Sequence, residues 1–439
     1  MTKSGLLLIA WSTLIGAMIA APLRLGALVS GDIVALLLLT AFAAALTTRR
    51  GRWTPTVLDL PIAAWSVLSI AWCAMGQARQ ALAPSPYDSP LYGGGPHGPE
   101  HVLAIQLAAC AAYYLAVWTM EATRESANPA AVLSTSIEVG SVLLVLFCAA
   151  EQIRVNSLTE RLEAGFTNSN LLAAFLILCA PTIAAGLGFG GSAARKAGRA
   201  LLLAAIVAAL FLTRSRGAEA GLAAALIVLG AAWARASESR RAPRLAALAV
   251  AAAISIMGLA WLIHSHRAIA DRLDHSVSDG QRKVAWRAAW DIFEEHPLTG
   301  VCLGAFPAAM EALHLREPAE TDAAHPGLTV PARHLHAHNA ALQAASERGI
   351  GGLLLMLWAT AIVVGQIART VAAGAATNPA TLGAAAAATG WIVQNAFDYT
   401  SWFPPVAILL AVQLAVLSAA GSLLDHGSGL VSVPDNTRR

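Results

Sequence analysis

Residues 165–181 read GFTNSNLLAAFLILCAP. Asn168 and Asn170 stand where a polar segment gives way to an apolar run that continues, without a charged residue, to about position 190. A bilayer crossing needs about 20 such residues. Only helices or closed barrels satisfy the backbone inside lipid. Leucine and alanine dominate with no alternation of period two, so this stretch reads as a membrane-spanning helix. It is one of twelve. The others run roughly over 5–22, 27–47, 56–75, 101–120, 130–150, 199–213, 217–234, 245–264, 350–371, 380–397 and 403–421, with 199–213 short enough to lean on its flanks.

Composition agrees. The chain is 57% hydrophobic and 13% charged, whereas soluble domains carry about 25% charged residues. Water cannot be the solvent for so much apolar surface. The expected fold is all-α: a polytopic integral membrane protein with about 12 transmembrane helices, forming one membrane domain over 1–439. Of five cysteines, Cys73, Cys110, Cys148 and Cys179 fall in spans and Cys302 stands alone, so no disulfide framework follows.

The basic residues orient the chain. With the N-terminus inside and alternating spans, the inner segments hold Lys3, Arg49, Arg50, Arg52, Arg124, Arg195, Lys196, Arg199, Arg235, Arg240, Arg241, Arg244, Arg369, Arg438 and Arg439, which is 15 of the 29. The short outer loops hold Arg24, Arg79, Arg154, Arg161, Arg214 and Arg216. Positive charge stays inside, so both termini are expected in the cytoplasm. Residues 1–22 have the pattern of a signal peptide, but the next apolar run begins almost at once, and they are read as an uncleaved first helix.

One connection is long. Residues 265–337 form an outer segment that, with its borders, holds nine of the twelve histidines. A loop of that length in a compact fold is usually functional. Its acidic residues slightly outnumber its basic ones, so it is no surface for nucleic acid. Within it, DGQRKVAWRAAWDIFEEHPLTG predicts a helix capped by Asp279 and stopped by Pro297 and Gly300. Trp286, Trp290 and Phe293 give it an interfacial face, with Arg282 one turn before them. Few ionisable residues lie inside the spans. Asp32, Asp59 and Glu138 sit near predicted ends, without the intramembrane charge pairs or broken half-helices of coupled transporters. That argues against a solute transporter, the rival class.

Three short motifs carry candidate chemistry. In TRSRGAEAGL (213–222), Arg214 and Arg216 occupy a tight outer turn, either as snorkelling anchors or as a phosphate grip backed by a helix N-terminus. Asn168 and Asn170 serve as helix caps or as hydrogen-bonding site residues. In HLHAHNAALQAASERGIGG (334–352), His334, His336 and His338 alternate. They read as metal ligands on one extended face, as surface polarity, or as the setting of a general base. No acidic or cysteine partner is close in sequence, so no metal is assigned. His338 is the best base, because the helix beginning after Asn339 keeps a nearby imidazole neutral.

Taken in order, GFTNSNLLA, TRSRGA, DGQRKVAWRAAWDIFEEHPLTGVCLGAF and HAHNAALQAASERGIGGLLL resemble the O-antigen ligase and polymerase superfamily of bacterial envelope enzymes over about 165–365. One departure is Cys302, where that family commonly has a glycine. The resemblance implies a GT-C-like, multi-pass enzyme of the bacterial inner membrane with a periplasmic active site. It implies an inverting, metal-independent glycosyltransferase without cofactor. The donor would be a glycan on undecaprenyl diphosphate, and the acceptor would be lipid A–core for a ligase or a growing chain for a polymerase. Carried over by position, Arg216 and Arg282 would contact the diphosphate and His338 would be catalytic, with Arg214, Arg287, His336 and Asn170 as further candidates. Membrane lipids complete the expected partners.

Overall fold

The computed structural model describes residues 3–20, 55–82, 99–123, 130–155, 160–166, 168–188, 192–235, 272–316, 335–374 and 378–427. Every regular element among them is a helix: α1 (Lys3–Ala20), α2 (Asp59–Leu82), α3 (Pro99–Ala122), α4 (Ala131–Val155), α5 (Ser169–Leu187), α6 (Ala193–Leu212), α7 (Arg216–Ala234), α8 (Arg272–Glu295), α9 (Phe306–Arg316), α10 (Ala340–Ala373), α11 (Pro379–Asn395) and α12 (Pro404–Gly427). All but α8 and α9 coincide with an expected span. The spans expected at 27–47 and 245–264, and His334, lie outside the described residues. Among the described helices, α4, α5, α7 and α10, and α3 from Glu100 onward, are long and apolar enough to cross a membrane.

The axis of the bundle is α5. Eighteen of its 19 residues are buried, as expected of a helix apolar on every side. Asn168 caps it, its side chain accepting from the Asn170 amide at 2.7 Å. Helix α6 resolves the short span at 199–213. Ser192 caps the helix from the polar flank, and α6 reaches 20 residues by starting at Ala193. Small residues set the distance between α7 and α11: a Cβ on Gly221 would lie 2.4 Å from the Gly390 carbonyl oxygen. Such close backbone approach is the usual device of helix packing in lipid. Gln413 of α12 donates to the Leu178 carbonyl and to Thr182 Oγ1 of α5, both at 2.8 Å. Glu138 of α4, unpartnered in the sequence reading, meets Arg199 of α6 at 2.6 Å.

Two expectations change. The helix expected to start at Asp279 runs through that residue from Arg272, so Asp279 is not its N-cap. The apolar span at 350–371 is the second arm of α10, which breaks at Gly349 (φ 61°, ψ −161°). That conformation belongs essentially to glycine. The break frees carbonyls of the first arm, and the 297–302 turn uses them. Val301 donates to Ser346 O at 2.9 Å and Cys302 to Glu347 O at 3.0 Å, while Ile350 donates back to Pro297 O at 2.7 Å. Backbone lies on backbone here, since a Cβ on Gly300 would fall 2.3 Å from the Glu347 carbonyl carbon. Gly300, Cys302 and Gly304 all have positive φ (62°, 85° and 72°). Cys302 therefore holds a glycine-type conformation at a position where glycine would be unstrained.

Candidate active site

One end of the bundle gathers the polar termini. The 160–166 segment is fastened to the end of α6: Leu162 donates to Leu212 O at 3.0 Å, and Arg161 Nε donates to Thr213 O at 2.9 Å. Arg161 Nη2 donates to Asn170 Oδ1 at 2.9 Å, so Asn170, a candidate site residue, positions an arginine. Arg214 takes a left-handed conformation (φ 52°) in the turn that follows. Arg216 opens α7 and is exposed. Beside it, a Cβ on Gly217 would pack 3.6 Å from Phe397 Cβ and 3.7 Å from Gln394 O, so the start of α7 sits on the end of α11.

The α11–α12 connection, NAFDYTSWF, supplies a residue that the sequence reading did not single out. Asp398 is 5% exposed. Its Oδ1 accepts from the Tyr399 amide at 2.8 Å and lies 3.2 Å from His338 Nδ1. Burial pushes the Asp398 carboxyl up, but the His338 hydrogen bond and the charges of His336 and His338 oppose it and hold it at about 2. An ionised carboxylate only accepts, so His338 Nδ1 is the donor of this contact, and in the neutral ring the lone pair is then on Nε2.

His338 is fixed from several sides. Asn339 caps α10, accepting from the amides of Ala341 and Leu342 at 2.9 and 3.0 Å, and donates from Nδ2 to Ala396 O at 2.8 Å. Trp286 Nε1 of α8 donates to the His338 carbonyl at 3.2 Å. His338 itself has φ 50°, a strained conformation of the kind that clusters at functional sites. The His336 ring lies 4.2 Å from that of His338 and about 6 Å from those of Tyr399 and Trp402.

Arg161 links this pair to the other arginines. Arg161 is exposed as a whole residue, but partial burial of its guanidinium lowers its proton affinity; the nearby charges of Arg282 and Arg214 act in the same direction, while Glu163 and Asp398 act against them. Arg161, Arg214 and Arg282 thus share one field with Asp398. Arg282 lies one turn before Trp286 on α8, on the face turned to His338. Arg287 is exposed and follows Trp286 by one residue, about 100° further round the helix. Of the arginines expected from sequence, Arg214 and Arg282 lie near enough to act on Arg161, Arg216 opens α7 beside Arg214, and Arg287 is exposed on α8.

His336, His338 and Asp398 each offer one ligand atom, all within 4.8 Å of one another. The acidic partner absent from the neighbouring sequence is therefore present in space. Two imidazoles and a carboxylate suit zinc. In this arrangement His338 Nδ1 faces Asp398 and His336 Nδ1 accepts from the His338 amide at 3.4 Å, so both nitrogens already have partners. Asp398 and Arg161 were missed because no spacing pattern marks them: Asp398 is a lone charge in a short connection, and Arg161 lies between Glu160 and Glu163 in another.

Fold and site together define an all-α, many-spanning membrane protein with a carboxylate–imidazole pair beside clustered guanidinium groups at one end of its bundle. Residues 200–357 match the family model Wzy_C, described as O-antigen ligase, a similarity that supports the O-antigen ligase and polymerase superfamily. The match begins in α6 and ends in α10. It contains Arg214, Arg216, Arg282, Arg287, His336 and His338, whereas Arg161, Asn170 and Asp398 lie outside it. No match was found among curated proteins.

Proposed function

We propose that the protein transfers an oligo- or polysaccharide from undecaprenyl diphosphate to an acceptor hydroxyl at the periplasmic face of the inner membrane, and that the acceptor is lipid A–core. The coarser reading, an O-antigen ligase- or polymerase-type glycosyltransferase, rests on the family match. One observation carries the finer one: a buried carboxylate faces His338 Nδ1 next to Arg161, Arg214 and Arg282.

In this reading Asp398 holds the imidazole so that Nε2 faces the acceptor hydroxyl and takes its proton as general base. The acceptor oxygen attacks the anomeric carbon from the face opposite the diphosphate. The new C–O bond forms as the bond to the diphosphate oxygen breaks, and undecaprenyl diphosphate leaves with that electron pair. A single displacement inverts the anomeric centre. The guanidinium groups of Arg161, Arg214 and Arg282, with Arg216 at the start of α7, spread the charge of the leaving group, and no metal enters the step. Removing one such electrostatic donor costs ~100- to 1000-fold in rate.

The deciding experiment is deletion of the gene followed by gel analysis of surface glycans. Polymer absent from lipid A–core but still built on the carrier lipid is the expected result. Loss of long chains altogether identifies a polymerase, and unchanged glycans refute the reading. Arg282→Ala expressed in the deletion strain is expected to leave that defect uncorrected while the protein accumulates normally.

A further inference from the structure

A cleft opens beside His336, built from elements that the arginines do not share. His101 comes from the first turn of α3, Gln343 and Glu347 from the first arm of α10, and Tyr399 and Trp402 from the α11–α12 connection. His336 lines the cleft, and its ring is 4.2 Å from that of His338. Asp398 and Tyr399 are consecutive. The first faces His338, and the second lines the cleft. The proton-accepting pair thus stands between the arginine side and this cleft.

The arginine side is cationic. The cleft has no lysine or arginine among its described lining residues, and its acidic group, Glu347, is ion-paired with buried Arg348, whose Nη1 lies 3.4 Å from Glu347 Oε2. That carboxylate is 2% exposed and accepts from the Gln343 side chain and from the amides of Gly304 and Phe306. The Arg348 pairing and these hydrogen bonds commit that carboxylate to the protein, and Gln343, His101 and His336 are further polar groups of the cleft. The Trp402 and Tyr399 rings add flat apolar walls. Aromatic surface with a few convergent polar groups is how proteins hold small polar ligands such as sugars.

We infer that this cleft binds the terminal, uncharged sugar of the acceptor and presents its hydroxyl to His338, while the donor's diphosphate is held on the arginine side. The inference rests on the glycosyltransferase reading above and adds to it the division of the two substrates around His336 and His338.

The test uses full-length protein in nanodiscs, with both substrates extracted from cells deleted for the gene: the carrier-linked polysaccharide as donor and lipid A–core as acceptor. Each is titrated against saturating amounts of the other. Trp402→Leu and His101→Ala are expected to raise KM for lipid A–core about tenfold with the donor KM nearly unchanged, the mark of lost substrate binding at one site. Arg282→Ala should not reproduce that split. Tyr399→Phe, which keeps the ring, covers the case in which Trp402→Leu does not fold, and size-exclusion profiles check folding. If wild-type protein transfers glycan but these variants leave the acceptor KM unmoved, or raise the donor KM instead, the cleft assignment fails and the enzymatic reading stands. No transfer by the wild type overturns both.

Discussion

At the scale of single residues, Asp398 is the most telling side chain. Its neighbours Phe397 and Tyr399 disguise it as an aromatic turn, yet it sets the tautomer of His338 from 60 residues away. Asp398→Asn keeps the shape and removes the charge that favours an imidazolium. Transfer should fall at least ~100-fold, by analogy with carboxylate-oriented histidine bases, with folding and donor binding retained; single-turnover kinetics would show it. The pH dependence follows from the lowered carboxyl. A pKa held near 2 in the fold, against about 3.9 in an unfolded chain, contributes stability that is complete above about pH 4 and is lost as pH falls through 2. Between pH 5 and 8 the melting temperature should therefore not vary on account of Asp398. In Asp398→Asn the acid-induced loss below pH 4 should be shallower. Dialysis against EDTA is expected to leave transfer unchanged, and loss restored by zinc would assign His336, His338 and Asp398 to a metal instead.

At the scale of elements, the break in α10 matters most. An unbroken helix from Ala340 would carry its first arm away from the 297–304 turn, and the hydrogen bonds from Val301 and Cys302 would have no acceptors. Gly300→Ala places a methyl group 2.3 Å from the Glu347 carbonyl carbon at positive φ, so we expect this variant to lower folded yield sharply, read by fluorescence-detected gel filtration. Cys302→Gly should have the opposite sign or none. It relieves a left-handed non-glycine conformation worth ~1–2 kcal/mol, offset in part by the greater freedom of glycine in the unfolded chain. A thermal shift assay separates the two.

At the scale of the whole molecule, the site depends on helix ends meeting at one level. Helices α5, α7 and α11 achieve this by close packing, with Gln394 Nε2 of α11 donating to Asn170 O of α5 at 3.1 Å. Gly221→Val would push side-chain atoms into Gly390 of α11 and separate the elements that carry Arg216 and Asp398. We expect this variant to lose transfer even where it reaches the membrane, measured by complementation with membrane-fraction immunoblots.

The apolar runs, their helical nature and the polarity of their ends were readable along the chain, because burial in hydrocarbon is a local demand that each segment meets by itself. The expectations for Arg216, Arg282 and His338, with Arg214 as a further candidate, came from short contiguous motifs; Arg282 and Arg214 lie near enough to act on Arg161, and Arg216 opens α7 beside Arg214. Asp398 beside His338, Arg161 on Asn170, Glu138 on Arg199 and the arrest of α10 at Gly349 leave no periodic trace. Each is a pairing across 9 to 61 residues without regular spacing or a backbone turn forced by a neighbouring loop. Only the packed bundle, by bringing distant helix ends within hydrogen-bond range in a setting poor in water, decides which isolated charge answers which.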